Sequence, residues 1–271
     1  IRCILSMTSE CLQLQAINPN LCIKNDASYH DMYYMNPPAK DLSKIASSDT
    51  VKKVQKDPAA THVRPQRLMK TLFTDEAYVK ANVDEARLMR RLFDLACNMQ
   101  SHDTDMQLYS LFAGEECYDL WSCNNLYWYL THACSPVTDG LMPYREADLL
   151  RNILDRADAA LKEGKNQATL RFGHESCLLP LVALLELNHY GESYPDVEKL
   201  SEQWRAYDIF PMASNVQFVF FHKKGSNDVL VKVLLNEKEA KLPVKTDVAP
   251  YYHWKDVESY YREKLDKYQH I

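Results

Sequence analysis

The chain has 271 residues, 46% of them hydrophobic and 25% charged, with a formal net charge of −5. No apolar run reaches the roughly 18–20 residues of a membrane span, and the acidic balance does not suit a general nucleic-acid binder. An anionic small molecule stays open, because a cleft can be locally basic on an acidic protein.

The first residue is Ile1 and no basic-then-apolar leader follows it, so the chain reads as an excerpt, a processed product or a truncated reading frame. Residues 1–17 place Ile1, Ile4, Leu5, Leu12 and Ile17 at an irregular helical spacing, and Asn18-Pro19-Asn20 stops that helix. Leu21, Cys22 and Ile23 read as a short strand. From residue 28 to residue 140 the pattern is helical with loops, and Asn36-Pro37-Pro38 is a linker. Residues 83–100 form an amphipathic helix with Leu88, Leu92, Leu95, Ala96 and Met99 on one face. Residues 115–132 form another, rich in Trp and Tyr.

The pattern changes after Met142. Residues 146–162 read as a helix with Ala147, Leu149, Leu150, Ile153, Leu154, Ala157 and Leu161 inward, capped by Gly164. Residues 168–172 read as a strand, Gly173-His174 as a turn, and residues 175–188 as a mostly apolar helix. Strand, tight turn and buried helix make the unit of a parallel α/β sheet. Residues 216–222 and 229–235 read as an antiparallel hairpin across Gly225-Ser226-Asn227-Asp228, and residues 254–268 as a closing amphipathic helix.

The chemistry concentrates at Arg171-Phe172-Gly173-His174-Glu175. A histidine and a carboxylate stand side by side where a strand hands over to a helix. Helix N-termini attract anions through unpaired N–H groups and the helix dipole. A phosphate can rest there, with His174 donating to it and Glu175 near the leaving oxygen. An alkoxide leaves poorly unless protonated, so ester cleavage needs such an acid nearby. A capping carboxylate beside a structural turn histidine is the alternative reading of the same residues.

Residues 171–181, Arg-Phe-Gly-His-Glu-Ser-Cys-Leu-Leu-Pro-Leu, resemble the C-terminal active-site motif of the branch-2 histidine acid phosphatases, in the phytase and multiple inositol polyphosphate phosphatase group. Glu175 takes the slot of the Asp in bacterial phytases, and Ser176 takes the slot of the glutamate in the His-Ala-Glu form. Residues 1–7, 25–36, 94–103, 108–112 and 215–221 are also similar to that group, in the same order. The resemblance implies a phosphoglycerate-mutase-like three-layer α/β domain, residues 1–28 and 141–271, that lacks its N-terminal central strand. It implies an inserted all-helical domain at residues 29–140. It further implies metal-independent, cofactor-free hydrolysis of phosphomonoesters through a phosphohistidine, on inositol polyphosphates such as phytate. His174 and Glu175 are its catalytic residues, Arg2 and His174 its phosphate ligands, and a periplasmic or secreted location follows from the same likeness.

The family's nucleophile lies in an Arg-His-Gly-x-Arg motif that none of the nine histidines supplies. Thr61-His62-Val63-Arg64 comes nearest, without the Arg before or the Gly after. A segment of the same protein outside these residues is therefore expected to complete the sheet. Without it, unpaired edges make the 271 residues poorly stable on their own. A truncated or degenerate phosphatase that binds phosphorylated ligands without turnover is the alternative function, and a helical interaction module the third.

Three other features favour structure over function. The aromatic residues Tyr118, Trp121, Tyr127, Trp128 and Tyr129 read as helical core rather than a stacking platform, and Lys52-Lys53-Val54-Gln55-Lys56 as a solvated face. His102-Asp103-Thr104-Asp105 suits a cap better than a metal. The eight cysteines form no CxxC pair and read as scattered buried thiols.

Overall fold

In a computed structural model, residues 1–30, 32–35 and 40–268 are described. The linker expected at Asn36-Pro37-Pro38 lies outside them. The first helix, α1 (Arg2–Ile17), ends at Asn18 and buries none of its residues. Ile4, Leu5 and Leu12 stay exposed on it. After a single turn at Tyr33–Met35 come α2 (Lys40–Ala46), α3 (Asp49–His62), α4 (Gln66–Leu72), α5 (Glu76–Asn82) and α6 (Glu85–Asn98). Their starts follow side-chain caps. Ser48 accepts from Val51 N–H, Asp75 from Tyr78 N–H and Asp84 from Arg87 N–H, each cap being worth about 1 kcal/mol.

Helix α6 packs its expected face inward at Leu88, Leu92 and Ala96, with the deepest burial shifted to the neighbouring Met89 and Phe93. Met89, Phe93 and Ala96 are buried, whereas Leu95 is exposed. Both sets recur at three to four residues, so periodicity by itself does not choose which lies deeper. The neighbours choose: Phe93 meets Phe112 edge to face, ring centroids 5.9 Å apart, inside a cluster with Leu68, Met69 and Val79.

Helix α7 (Gly114–His132) joins two apolar clusters. Leu120 belongs to the one just described, and Leu126, Tyr129 and Leu130 belong to the larger one. That larger core takes in α8 (Ala147–Glu163), α9 (Glu175–Leu184), the two short helices α10 (Leu200–Gln203) and α11 (Ala206–Ile209), the sheet, and α12 (Trp254–Tyr268). Gly164 ends α8 in the left-handed region at φ 64°, its N–H donating to Ala160 and Leu161 carbonyls. Trp204, Tyr129 and Tyr261 are fully buried at the centre.

The sheet is antiparallel. Strands β1 (Val216–His222) and β2 (Val229–Leu235) pair in full register from Val216 opposite Leu235 to His222 opposite Val229. Short strands β3 (Lys238–Glu239) and β4 (Tyr252–His253) both pair with β2. Two expected strands do not form: Leu21, Cys22 and Ile23, and residues 168–172, carry no ladder. A parallel strand needs a neighbour to take its N–H and C=O groups. Among the described residues neither segment has one, and residues 165–170 are exposed throughout. The helix after the turn is also shorter than its sequence pattern predicts, ending at Leu184.

One polar clamp closes the sheet end. His253 Nδ1 lies 3.0 Å from Asp228 in the β1–β2 connection, and Nε2 lies 2.9 Å from Asp247. Its hydrogen bonds to Asp228 and then Asp247 raise the His253 pKa above 6.5. A raised histidine pKa stabilises the fold fully below the unfolded value and loses that effect as pH rises through the folded one. Asp247 is shifted down by the same contact. The melting-temperature gap between the wild type and His253→Gln is therefore expected to be widest between about pH 5 and 6.5 and to close at alkaline pH. A gap independent of pH would remove the clamp.

Candidate active site

Residue 174 sits at the start of the most buried helix in the chain. Seven of the ten residues of α9 are buried, Cys177 through Leu184 with the exception of Leu178, so the helix is anchored on nearly its whole circumference. Its N-terminus cannot tilt without repacking the core. His174 is the N-cap, with extended backbone at φ −114° and ψ 166°, and its carbonyl accepts from the Cys177 and Leu178 N–H groups at 2.9 and 3.0 Å. The imidazole makes no cap bond. Pro180 inside the helix withholds the N–H that would bond the Ser176 carbonyl.

The N-terminal turn of α1 meets this point. Cys3 Sγ lies 3.5 Å from His174 Nε2 and 3.6 Å from the Gly173 carbonyl. Two helix N-termini, each the positive end of its dipole, therefore converge on the Gly173-His174 turn. Arg2 stands beside Cys3 at that helix end and is exposed. Glu175 follows His174 on the first turn of α9 and is also exposed. The structure thus gathers His174, Glu175 and the turn that carries Arg2 at one corner, although 171 residues of chain separate Cys3 from His174.

Beneath the turn lies a layer in which Arg171 and Cys177 of the motif meet Met35, Tyr34, Asn152 and Glu146, contacts that sequence reading did not assign. Cys177 Sγ donates to the Met35 carbonyl at 3.2 Å. A Cβ on Gly173 would come within 3.3 Å of Met35 Cε and 3.7 Å of Cys177 Cβ, so the turn fits tightly because residue 173 has none. Arg171 Nη2 donates to Asn152 on α8 at 2.6 Å, and its guanidinium lies 5.9 Å from the centre of the Tyr34 ring. Glu146, just ahead of α8, is 2% exposed, and its Oε2 has no hydrogen-bond partner among the described residues. Burial pushes the Glu146 carboxyl up to about 8. Burial first, and Glu146 second, push the Cys177 thiol up to about 11. A glutamate opening a helix reads as a cap, and no local signal marked this one as buried.

The remaining candidates are structural. His62 and Arg64 both hold Asp119 of α7, at 2.9 and 2.6 Å, which ties α3 to α7 and leaves His62 engaged. Lys52 pairs with Asp49 on an exposed face. Trp128 packs on Phe210 with ring centroids 5.0 Å apart, and Trp121 on Tyr207 at 5.4 Å. Tyr129 is core and the two tryptophans pack half-buried, but Tyr118 and Tyr127 are exposed, so the expected helical core fails for those two. His102 and Asp103 are exposed, and no group of three metal-ligating side chains occurs among the described residues. All eight cysteines are free, and only Cys177 is buried, so the expectation of buried thiols fails for the other seven.

Two predictions follow from this geometry. The Glu146 carboxyl keeps its proton in the folded chain up to about pH 8, whereas unfolded chain releases it above about pH 4.5. Stability is expected to fall between those values, and Glu146→Gln to flatten that slope in denaturant titrations. An unchanged slope would mean that Glu146 is solvated. Carbamidomethylation of Cys3 by iodoacetamide is expected to weaken inorganic phosphate binding at His174, and phosphate to slow the labelling. Full phosphate affinity in the labelled protein would separate Cys3 from the anion site.

Comparison with known proteins gives the family and the fold. The sequence profile described as histidine phosphatase superfamily (branch 2) matches residues 24–236. The chain is 28% identical over 134 residues to human multiple inositol polyphosphate phosphatase 1, covering 45% of this chain and 27% of that protein. Crystal structures of the Bifidobacterium longum multiple inositol polyphosphate phosphatase share its fold. The complex with inositol hexasulfate superposes at a TM-score of 0.66 and 18% identity, covering 86% of this chain and 62% of that one. The complex with phosphate superposes at 0.58 and 20%, covering 89% and 60%. The chain therefore spans about a quarter of the curated relative and about three-fifths of the solved ones.

Proposed function

The chain belongs to the histidine phosphatase superfamily, branch 2, and from that premise we propose that the complete protein hydrolyses phosphomonoesters of inositol polyphosphates, phytate among them, without a metal. The observation that carries the reading is the 3.5 Å approach of Cys3 to His174. It puts the turn bearing Arg2 at the N-terminus of α9, where a phosphoryl group meets two helix ends, an imidazole and a guanidinium. Arg2 and His174 hold the phosphoryl oxygens and stabilise the charge that builds on them in transfer.

A histidine from a segment outside these residues attacks phosphorus. As the P–O bond breaks, Glu175 gives its proton to the leaving alkoxide, and a phosphohistidine forms. Water then attacks phosphorus, Glu175 takes its proton, and inorganic phosphate leaves with the histidine restored. Residues 1–28 and 141–271 make the phosphatase domain and residues 29–140 the helical insertion. A periplasmic or secreted location belongs to the same reading and is supported by the family likeness alone. Among the described residues no helix is long and apolar enough to cross a membrane.

Ser176, in the slot of the family's glutamate, favours a second reading: binding of phosphorylated ligands without turnover. One experiment separates the two. With full-length protein and inositol hexakisphosphate, Glu175→Gln is expected to lower phosphate release about 100-fold or more, the usual worth of a general acid. Inorganic phosphate should bind both proteins alike. Equal turnover in the variant would remove Glu175 from the mechanism, and phosphate binding with no turnover in the wild type would establish the second reading.

A further inference from the structure

We infer that Arg171 is a positioning residue for His174, clamping the phosphate-binding turn to α8 and to the Tyr33–Met35 turn. The inference rests on the role proposed for His174. Arg171 Nη2 reaches the neutral side chain of Asn152 at 2.6 Å rather than a carboxylate. Its guanidinium lies 5.9 Å from the centre of the Tyr34 ring, and its Nε is buried with no hydrogen-bond partner among the described residues. Partial burial lowers the arginine's pKa, so part of its charged fork is withdrawn from water.

Arrangements made for stability seldom leave a buried donor unmet, and an apolar side chain would fill the same space without desolvating a charge. What the arginine adds is direction. Its fork is rigid, so one group fixes the angle between α8, the Tyr34 ring and the chain three residues before His174. Met35 supports the same chain from both sides of His174. Its Cε lies where a Cβ on Gly173 would touch it, and its carbonyl takes the Cys177 thiol. The His174 ring itself has only the Cys3 thiol as a side-chain neighbour within hydrogen-bond distance among the described residues. Its aim is therefore set through the backbone from residue 171 to residue 177. A misplacement of about 1 Å at a reacting centre costs on the order of 100-fold in rate.

The test uses the full-length protein with inositol hexakisphosphate as substrate. Arg171→Met, Arg171→Lys, Asn152→Ala and His174→Ala are compared for kcat, KM and melting temperature. Arg171→Met is expected to lower kcat about 10- to 100-fold with KM within about threefold, the signature of a contact that matters in the transition state. Arg171→Lys, which keeps charge without the fork, should recover part of the loss. Asn152→Ala should lower kcat in the same direction.

Wild-type kcat per folded molecule in Arg171→Met overturns the inference, whatever its melting temperature. Should Arg171→Met not fold, wild-type kcat in Asn152→Ala overturns it instead. His174→Ala distinguishes the two levels. Full activity there sinks the proposed function, whereas an inactive His174→Ala beside an unaffected Arg171→Met sinks only the clamp.

Discussion

Helix α9 is apolar around most of its circumference, and the molecule is built on that burial. Leu179, Val182, Leu184 and Leu185 are sealed among α7, α8, the sheet and α12. Tyr261 on α12 donates to the Leu185 carbonyl at 2.7 Å, so even the far end of the helix is bound. A helix held this way presents its first turn at a fixed place, and the unpaired N–H groups of that turn are preorganised for an anion. The stability of the core and the geometry of the candidate site are one property.

The layer beneath the site shows a different balance. Glu146, Cys177 and Arg171 are polar groups wholly or partly withdrawn from water, and two of them leave a buried atom without a partner among the described residues. Such groups reduce stability, and they cluster behind the turn that carries His174. By contrast, Arg262 on α12 meets Asp155, Asp158 and Glu258 in a satisfied network at the surface. Two of the three unmet buried side-chain atoms among the described residues thus lie behind the His174 turn, and the third, Trp204 Nε1, lies in the central core.

The helical region is joined to this core by polar as well as apolar contacts. Asp119 and Glu116 on α7 are nearly buried, and they draw His62, Arg64 and Arg67 onto them. Arg67 holds Glu116, and that hydrogen bond keeps the Glu116 carboxyl below the usual carboxylate range. Removing one member would leave a charge with no counterpart in a dry place, which is why such pairs hold register more than they add net stability.

Much of the architecture was written locally. Ser48, Asp75 and Asp84 capped the helices they precede. Gly164 stopped α8, and the run from Val216 to Leu235 folded back at Gly225, because caps, left-handed glycines and alternation act over a few residues. His174 at a helix start was legible for the same reason. What the sequence did not reveal was long-range. The reach of Arg171 to Asn152 and the burial of Glu146 depend on which surfaces meet, and the meeting of the Arg2 turn with His174 was implied only by the family resemblance. The strand expected at residues 168–172 failed on the same ground, since a ladder is a property of two segments. Local hydrogen-bonding preference is carried by each residue, whereas burial and pairing belong to the packed chain, and only the tertiary structure decided them.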